Sequence, residues 1–324
     1  MPARSADPQP EVSTGLSPGR LRRWLASDLV WSFCHSPLAM GAAVVALTLV
    51  AGAALAPWLA PHDPFDLAAL ELMDGLSPPA WLPEGRTTYL LGTDDQGRDV
   101  LSGILHGARI SLLVGIAAVL LAMVLGVGLG LVAGYAGGWA DALIMRVADV
   151  QLSFPAILIA LLADGVARVI LPDAAHGGLA LAVLVAAIGL SGWVQYARTV
   201  RGSTMVEKNK DYIQAARVIG RHPLAIMLLH LLPNVTGPVL VIATIHLATA
   251  IITEATLSFL GVGMPVTTPS LGTLIRIGND FLFSGEWWIT VFPGTALVLL
   301  VLSVNLLGDW LRDALNPRLR QGSR

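Results

Sequence analysis

Hydrophobic and polar positions are distributed along this chain in long blocks. Apolar runs occupy residues 38–60, 110–133, 143–163, 179–194, 235–259 and 289–308. All are of a length suited to crossing a hydrocarbon core of about 30 Å as a helix, the run at 179–194 being the shortest. Lipid offers no water to backbone N–H and C=O groups, so such runs satisfy them internally, as helices. The pattern predicts an all-α polytopic membrane protein with about six transmembrane helices. Inside the third run, Phe154-Pro155 predicts a kink, because proline removes a helix hydrogen bond. In the second run Ala118, Ala122, Gly126, Gly130 and Gly134 recur every four residues, on one face, where small side chains let another helix come close. That face reads as bundle packing or as a sliding contact.

Composition agrees with the block pattern. Of 324 residues, 55% are hydrophobic and 13% charged, against about 25% charged in a typical soluble domain. The single cysteine, Cys34, cannot form an internal disulfide, and no Cys/His cluster with metal-ligand spacing occurs. A net charge of −2 gives no reason to expect a nucleic-acid partner. Residues 1–37, rich in Pro, Ser, Gly and Arg, read as a disordered cytoplasmic tail with a short amphipathic piece around 21–33. The first apolar run begins late and is too long for a signal peptide, so 38–60 is expected to remain as a membrane anchor.

Charge placement gives an orientation. With the N-terminus in the cytoplasm, 14 of the 20 basic residues fall on that side. They are Arg4, Arg20, Arg22 and Arg23 in the tail, six between 198 and 234, and Arg312, Arg318, Arg320 and Arg324 at the end. The first external loop, 61–107, is acidic, with Asp63, Asp66, Glu71, Asp74, Glu84, Asp94, Asp95 and Asp99. It reads either as a docking surface or as a solvated loop. Both termini are expected in the cytoplasm, with a transmembrane domain over 108–312 and a short cytoplasmic tail over 313–324.

The polar interruption at 198–234 carries the candidate chemistry. From Asp211 to Arg221 the spacing predicts a helix with Tyr212, Ala215, Ala216 and Ile219 on one face and Gln214, Arg217 and Arg221 on the other. Two alanines at the centre of the apolar face permit close docking against a partner or against the rest of the segment. The alternative, a surface helix lying on anionic lipid, normally carries larger apolar residues. Gly220 is placed to end the helix in the left-handed conformation, and a second helical piece is expected over 224–232. Inside the fifth run, His246, Thr249, Thr253 and Thr256 share a face. They read as a pathway-lining stripe or as threonines bonded back to their own helix. Glu254 is expected to face the protein, since a lipid-facing carboxylate is costly.

Four motifs carry a family resemblance. Gln214-Ala215-Ala216, Gly220 and His230-Leu231-Leu232-Pro233 resemble the E-A-A-x3-G-x9-I-x-L-P segment of ABC importer permeases, with Gln214 in place of Glu and His230 in place of Ile. The stretches 91–100 (LGTDDQGRDV) and 254–263 (EATLSFLGVG), and 305–313 with Asn316-Pro317-Arg318, are similar to sequences of the peptide/nickel branch, in particular its C-type, second permease subunit. The resemblance covers nearly the whole chain after the tail. It implies a type I ABC importer transmembrane fold in the bacterial inner membrane. It also implies a pathway shared with a homologous second permease, two cytoplasmic ATPase subunits and an extracytoplasmic substrate-binding protein. Asp211, Tyr212, Gln214, Ala215, Ala216, Arg217 and Gly220 would form the ATPase-coupling element. His246, Thr249, Thr253 and Glu254 are the pathway candidates.

No G-x-x-x-x-G-K-[ST] phosphate loop occurs, so ATP and Mg are expected on partner chains and the chain itself is expected not to be an enzyme. The implied solutes are peptides or related small solutes such as nickel complexes. An ion-coupled secondary transporter is the alternative. It calls for broken helices in inverted repeats near the midplane, and no clear repeat is present.

Overall fold

The computed structural model describes residues 32–64, 72–170 and 173–315. The amphipathic piece and most of the tail expected over 1–37, Asp66 and Glu71 of the acidic loop, and the 316–318 motif lie outside the described residues. Those residues form helices α1 (Pro37–Ala54), α2 (Ala56–Leu59), α3 (Val100–Ala136), α4 (Gly138–Leu152), α5 (Ala156–Ile170), α6 (Asp173–Glu207), α7 (Asp211–Val218), α8 (Pro223–Ile226), α9 (Leu232–Phe259), α10 (Leu271–Phe281) and α11 (Trp288–Leu315). A π-helical turn, Met227–Leu231, joins α8 to α9. Short turns of 3-10 helix lie at Leu72–Asp74 and Leu282–Ser284.

Among the described residues, five helical stretches are long and apolar enough to cross a membrane: α1, α3, α6 from Leu179, α8 through α9, and α11. The third apolar run is not a kinked single helix. It is divided at 153–155 into α4 and α5, which meet at 93° and together make a sixth candidate, either a broken span or a re-entrant loop. Gln151 holds the elbow: its amide nitrogen donates to the Leu190 and Ser191 carbonyls at 2.7 and 3.1 Å, and its oxygen accepts from Trp193 Nε1 at 2.7 Å.

Two helices outrun their apolar cores. α3 starts at Val100, where Asp99 caps it by accepting from Ser102 N at 2.9 Å, so the end of the expected external loop is already helical. α6 continues past 194 to Glu207, so the polar segment opens as a prolongation of a spanning helix. Arg198 and Arg201 on that prolongation pair with Asp149 and Asp141 of α4.

The small-residue stripe is a packing seam between α3 and α6. A Cβ on Gly126 would stand 2.3 Å from the Trp193 carbonyl oxygen, and one on Gly130 2.6 Å from that of Ala197. Backbone therefore meets backbone, the arrangement that small residues permit between membrane helices. α1 packs on α3 and α11. Apolar clusters fill the bundle from the α10 end, with Ile104, Leu271 and Trp288, to the α7 end, with Tyr196, Ile213 and Leu231. Large apolar side chains remain on the outside, such as Leu47, Val124 and Leu162, as expected of surfaces that face lipid or another membrane chain.

Candidate functional site

The site is assembled around α7. Asp211 in its first turn and Arg217 in its last complement the helix dipole. The helix stops in a Schellman arrangement: Arg221 N donates to Ala216 O at 3.0 Å and Gly220 N to Arg217 O at 2.9 Å, with Gly220 at φ +81°. That backbone conformation is open to glycine and strained for other residues.

The buried face differs from the one the spacing suggested. Ile213 and Ala216 are buried, while Tyr212, Ala215 and Ile219 are exposed. Eight residues make a little over two turns, so the helix ends before Ile219 can join the inner face. Ile213 and Ala216, three apart, are left to meet Tyr196, Leu231 and Val235 on the underside of the bundle. Val218 and Ile219 point away, 88% and 79% exposed. With Ala215 they form an apolar outer face inside a polar segment.

Polar contacts fix α7 on three sides. The Tyr212 hydroxyl donates to Glu207 Oε1 at the end of α6, 2.5 Å away, and accepts from Asn234 Nδ2 in the first turn of α9 at 3.2 Å. Burial, and then the neighbouring Glu207 carboxylate, push this phenol up to about 12. Lys208 Nζ donates to Gly134 O at 2.6 Å near the end of α3. The Arg217 guanidinium lies 4.9 Å from the centre of the Tyr135 ring, within cation–π range. Gln214 is exposed and turns its amide nitrogen back to Lys208 O at 3.3 Å. His222 caps α8 by accepting from Leu224 N at 3.3 Å.

The α9 candidates do not form one cluster. His246 is buried between α6 and α9, with Nδ1 3.1 Å from the Tyr196 hydroxyl and its ring filling the space where Gly192 has no side chain. Thr249 is exposed and Thr253 partly so, and their hydroxyls donate to His246 O at 2.9 Å and Thr249 O at 2.8 Å in the preceding turn. Glu254 is fully buried and accepts from Ser111 Oγ of α3 and Ser258 Oγ of α9, each at 2.7 Å. Those serines in turn accept the backbone N–H groups of Leu271 and Met264, at 3.3 and 3.1 Å. The carboxylate thus ties α3, α9 and the start of α10 together. The partnership with Ser258, four residues on, is readable from helical spacing. The one with Ser111, 143 residues away, has no local signal.

At the α10 end, Asp94 accepts from Gln96 N and Arg98 N, both at 2.9 Å, and pairs with Arg98 Nε at 2.6 Å. Arg98 Nη1 reaches Val266 O at 3.1 Å, and Trp288 Nε1 donates to Thr93 O at 3.1 Å. The 91–100 motif is therefore pinned against the segment that follows 254–263 and against α11.

Known proteins are similar to this chain along most of its length. The family described as "Binding-protein-dependent transport system inner membrane component" matches residues 126–321. The "N-terminal TM domain of oligopeptide transport permease C" matches residues 25–79. The chain is 39% identical over 292 residues to a di/tripeptide transport system permease protein DppC of Pseudomonas aeruginosa, covering 90% of this chain and 92% of that one. It is 43% identical over 270 residues to a dipeptide transport system permease protein DppC of Escherichia coli K12, covering 83% and 85%. Among solved structures it is similar to a chain of the MetNI methionine ABC transporter in inward-facing conformations. There the TM-score is 0.50 at 23% identity, over 66% of this chain and 96% of that one, a likeness of fold.

Proposed function

The chain belongs to the family of inner-membrane components of binding-protein-dependent transport systems, and from that premise we propose that it carries di- or tripeptides, driven by an ATPase that docks on the outer face of α7. It is a multi-pass inner-membrane ABC importer permease subunit of the peptide-transport kind, a transport subunit and not itself an enzyme. The observation that carries the docking assignment is the two-sided character of α7. Ile213 and Ala216 are sunk in the bundle, while Ala215, Val218 and Ile219 face outward. Exposed apolar faces of this kind mark interaction surfaces.

In this reading a homologous second permease completes the pathway, and two ATPase subunits hold ATP and Mg on the α7 side. A soluble binding protein delivers the solute on the α10 side. Closure of the ATPases pushes α7 and, through its attachments, the bundle, in a rigid-body switch between inward and outward access. Thr249 and Thr253 are on the open side of α9 and suited to face the pathway. His246 and Glu254, buried, hold its helices in register. The peptide assignment is supported by the names of the similar permeases. Nickel complexes are the other solute class that the sequence resemblance implies.

Two experiments test the proposal. Purified in mild detergent, the chain is expected to bring down an ATPase and a second permease, and its isolation free of any ATPase defeats the docking assignment. A thermal-shift screen of the cognate binding protein is expected to respond to di- and tripeptides, and a response to nickel alone defeats the peptide assignment.

A further inference from the structure

On the bundle end opposite α7, an open recess of 230 Å³ lies between the 91–100 motif and α10, lined by Asp95, Gln96, Thr273, Arg276 and Asp280 among others. Its charges are of both signs and are not spent on one another. Among the described residues, Arg276 forms no ion pair with Asp95 or Asp280, although all three border the same hollow. Its guanidinium instead rests on Gly261, where a Cβ would come within 2.8 Å of Nη1. Asp95 is held above the usual carboxylate range, first by burial and then by Asp94, against the lowering pull of the nearby Arg98, with a smaller upward push from Asp280. A cation entering beside it would relieve that repulsion. Next to the recess the 3-10 turn Leu282–Ser284 presents Phe283 at 96% exposure. An exposed aromatic beside unpaired charges is the composition of a protein–protein contact more than of a solute pocket, which encloses most of its ligand.

The recess is mechanically continuous with the transmembrane helices. Leu271 N, at the head of α10, bonds Ser111 Oγ, and Ser111 bonds the buried Glu254. On the other wall, Arg98 links the 91–100 motif to Val266 O. A load on α10 therefore reaches α3 and α9 through hydrogen bonds shielded from water.

We infer that this recess is a docking socket for one lobe of the extracytoplasmic binding protein, taking a lysine or arginine side chain between Asp95 and Asp280 and a carboxylate on Arg276. The inference rests on the importer reading above and on the orientation that places α10 outside.

The test uses the complete importer, both permeases with both ATPases, in lipid nanodiscs, with ATP hydrolysis followed as binding protein is titrated in. Asp95→Lys/Asp280→Lys and Arg276→Glu are compared with the native complex. Size-exclusion co-elution of all subunits shows that each variant is assembled. Reversed charges across an interface chiefly slow encounter and change its salt dependence. The half-saturating concentration of binding protein is therefore expected to rise by about tenfold in each variant, with a weaker salt dependence. Half-saturation within about twofold of native in both assembled variants overturns the socket while leaving the importer reading intact. Stimulation by free dipeptide without binding protein, lost in the variants, shows instead that the recess holds solute, and overturns it as well. If binding protein fails to stimulate even the native complex, the importer reading falls and the socket with it.

Discussion

The hydroxyl of Tyr212 stands between Glu207 and Asn234, donating to the one at 2.5 Å and accepting from the other at 3.2 Å. A single side chain of α7 thereby joins the last residue of α6 to the first turn of α9. Tyr212→Phe removes both bonds and keeps the ring. The expected cost is about 1 kcal/mol of stability, together with weaker coupling between ATP hydrolysis and uptake. The phenol also gives a pH signature. Its folded value, about 12, lies above the ordinary 10.0. The stabilisation it brings is complete below pH 10 and is lost as pH rises toward 12. Thermal unfolding in detergent across that window is expected to show an alkaline loss in the native chain that Tyr212→Phe lacks.

The adjacent alanines allow the proposed docking to be tested apart from folding. Ala215 is exposed and Ala216 buried. Ala215→Trp is expected to leave a folded, membrane-inserted permease that no longer co-purifies with an ATPase. Ala216→Trp forces an indole into the space beside Ile213 and Tyr196 and is expected to lower yield and melting temperature. Co-purification and a melting curve for each variant check the pair, and equal ATPase retention in both counts against α7 as the docking helix.

Gly220 is demanded by its backbone angle and not by space, since a Cβ there would meet nothing within 4 Å. Gly220→Ala is expected to cost about 1 kcal/mol. Gly220→Pro cannot reach φ +81° and removes the N–H that bonds Arg217 O. Uptake is expected to be abolished while the protein still reaches the membrane fraction, measured by peptide uptake and immunoblot.

Gly130 answers to the opposite constraint. Any Cβ there would collide with the Ala197 carbonyl, so Gly130→Val pushes α3 off α6. Overpacking of this kind costs about 2 kcal/mol, and the melting temperature is the readout. Gly128, whose Cβ would meet nothing within 4 Å, is the matched control, and Gly128→Val is expected to melt close to native.

Cys34, the only cysteine and exposed, reports orientation without mutagenesis. It lies three positions before Pro37, the first residue of α1. With the N-terminus in the cytoplasm, a membrane-impermeant maleimide is expected to label it only after the cells are opened. Labelling in intact cells reverses the topology.

What the sequence disclosed was local or periodic. The apolar runs, the four-residue step of small side chains, and the glycine stop at 220 follow from helix geometry acting within a few turns, and each has its counterpart in the structure. The inner face of α7 did not follow. With eight residues the period leaves several faces possible, and the bundle underside, built from Tyr196 and Leu231, selects Ile213 and Ala216. The pairs Ser111–Glu254 and Tyr196–His246 were equally out of reach, since they join helices distant along the chain. The elbow at Phe154-Pro155 was visible as a break in hydrogen bonding. Its 93° comes with the grip of Gln151 on α6.

The bond from Lys208 to Gly134 and the stacking of Arg217 on Tyr135 attach α7 to the tail of α3. At 37 residues, α3 is a rod of roughly 55 Å. Its head, capped by Asp99, stands beside the Arg98 network. In the proposed importer, one unbroken helix would then have the nucleotide-driven contact at its foot and the solute-delivery surface at its crown. Such a strut transmits a push without relays, so the two faces of the membrane share a single stiff part and need not signal through the solute between them.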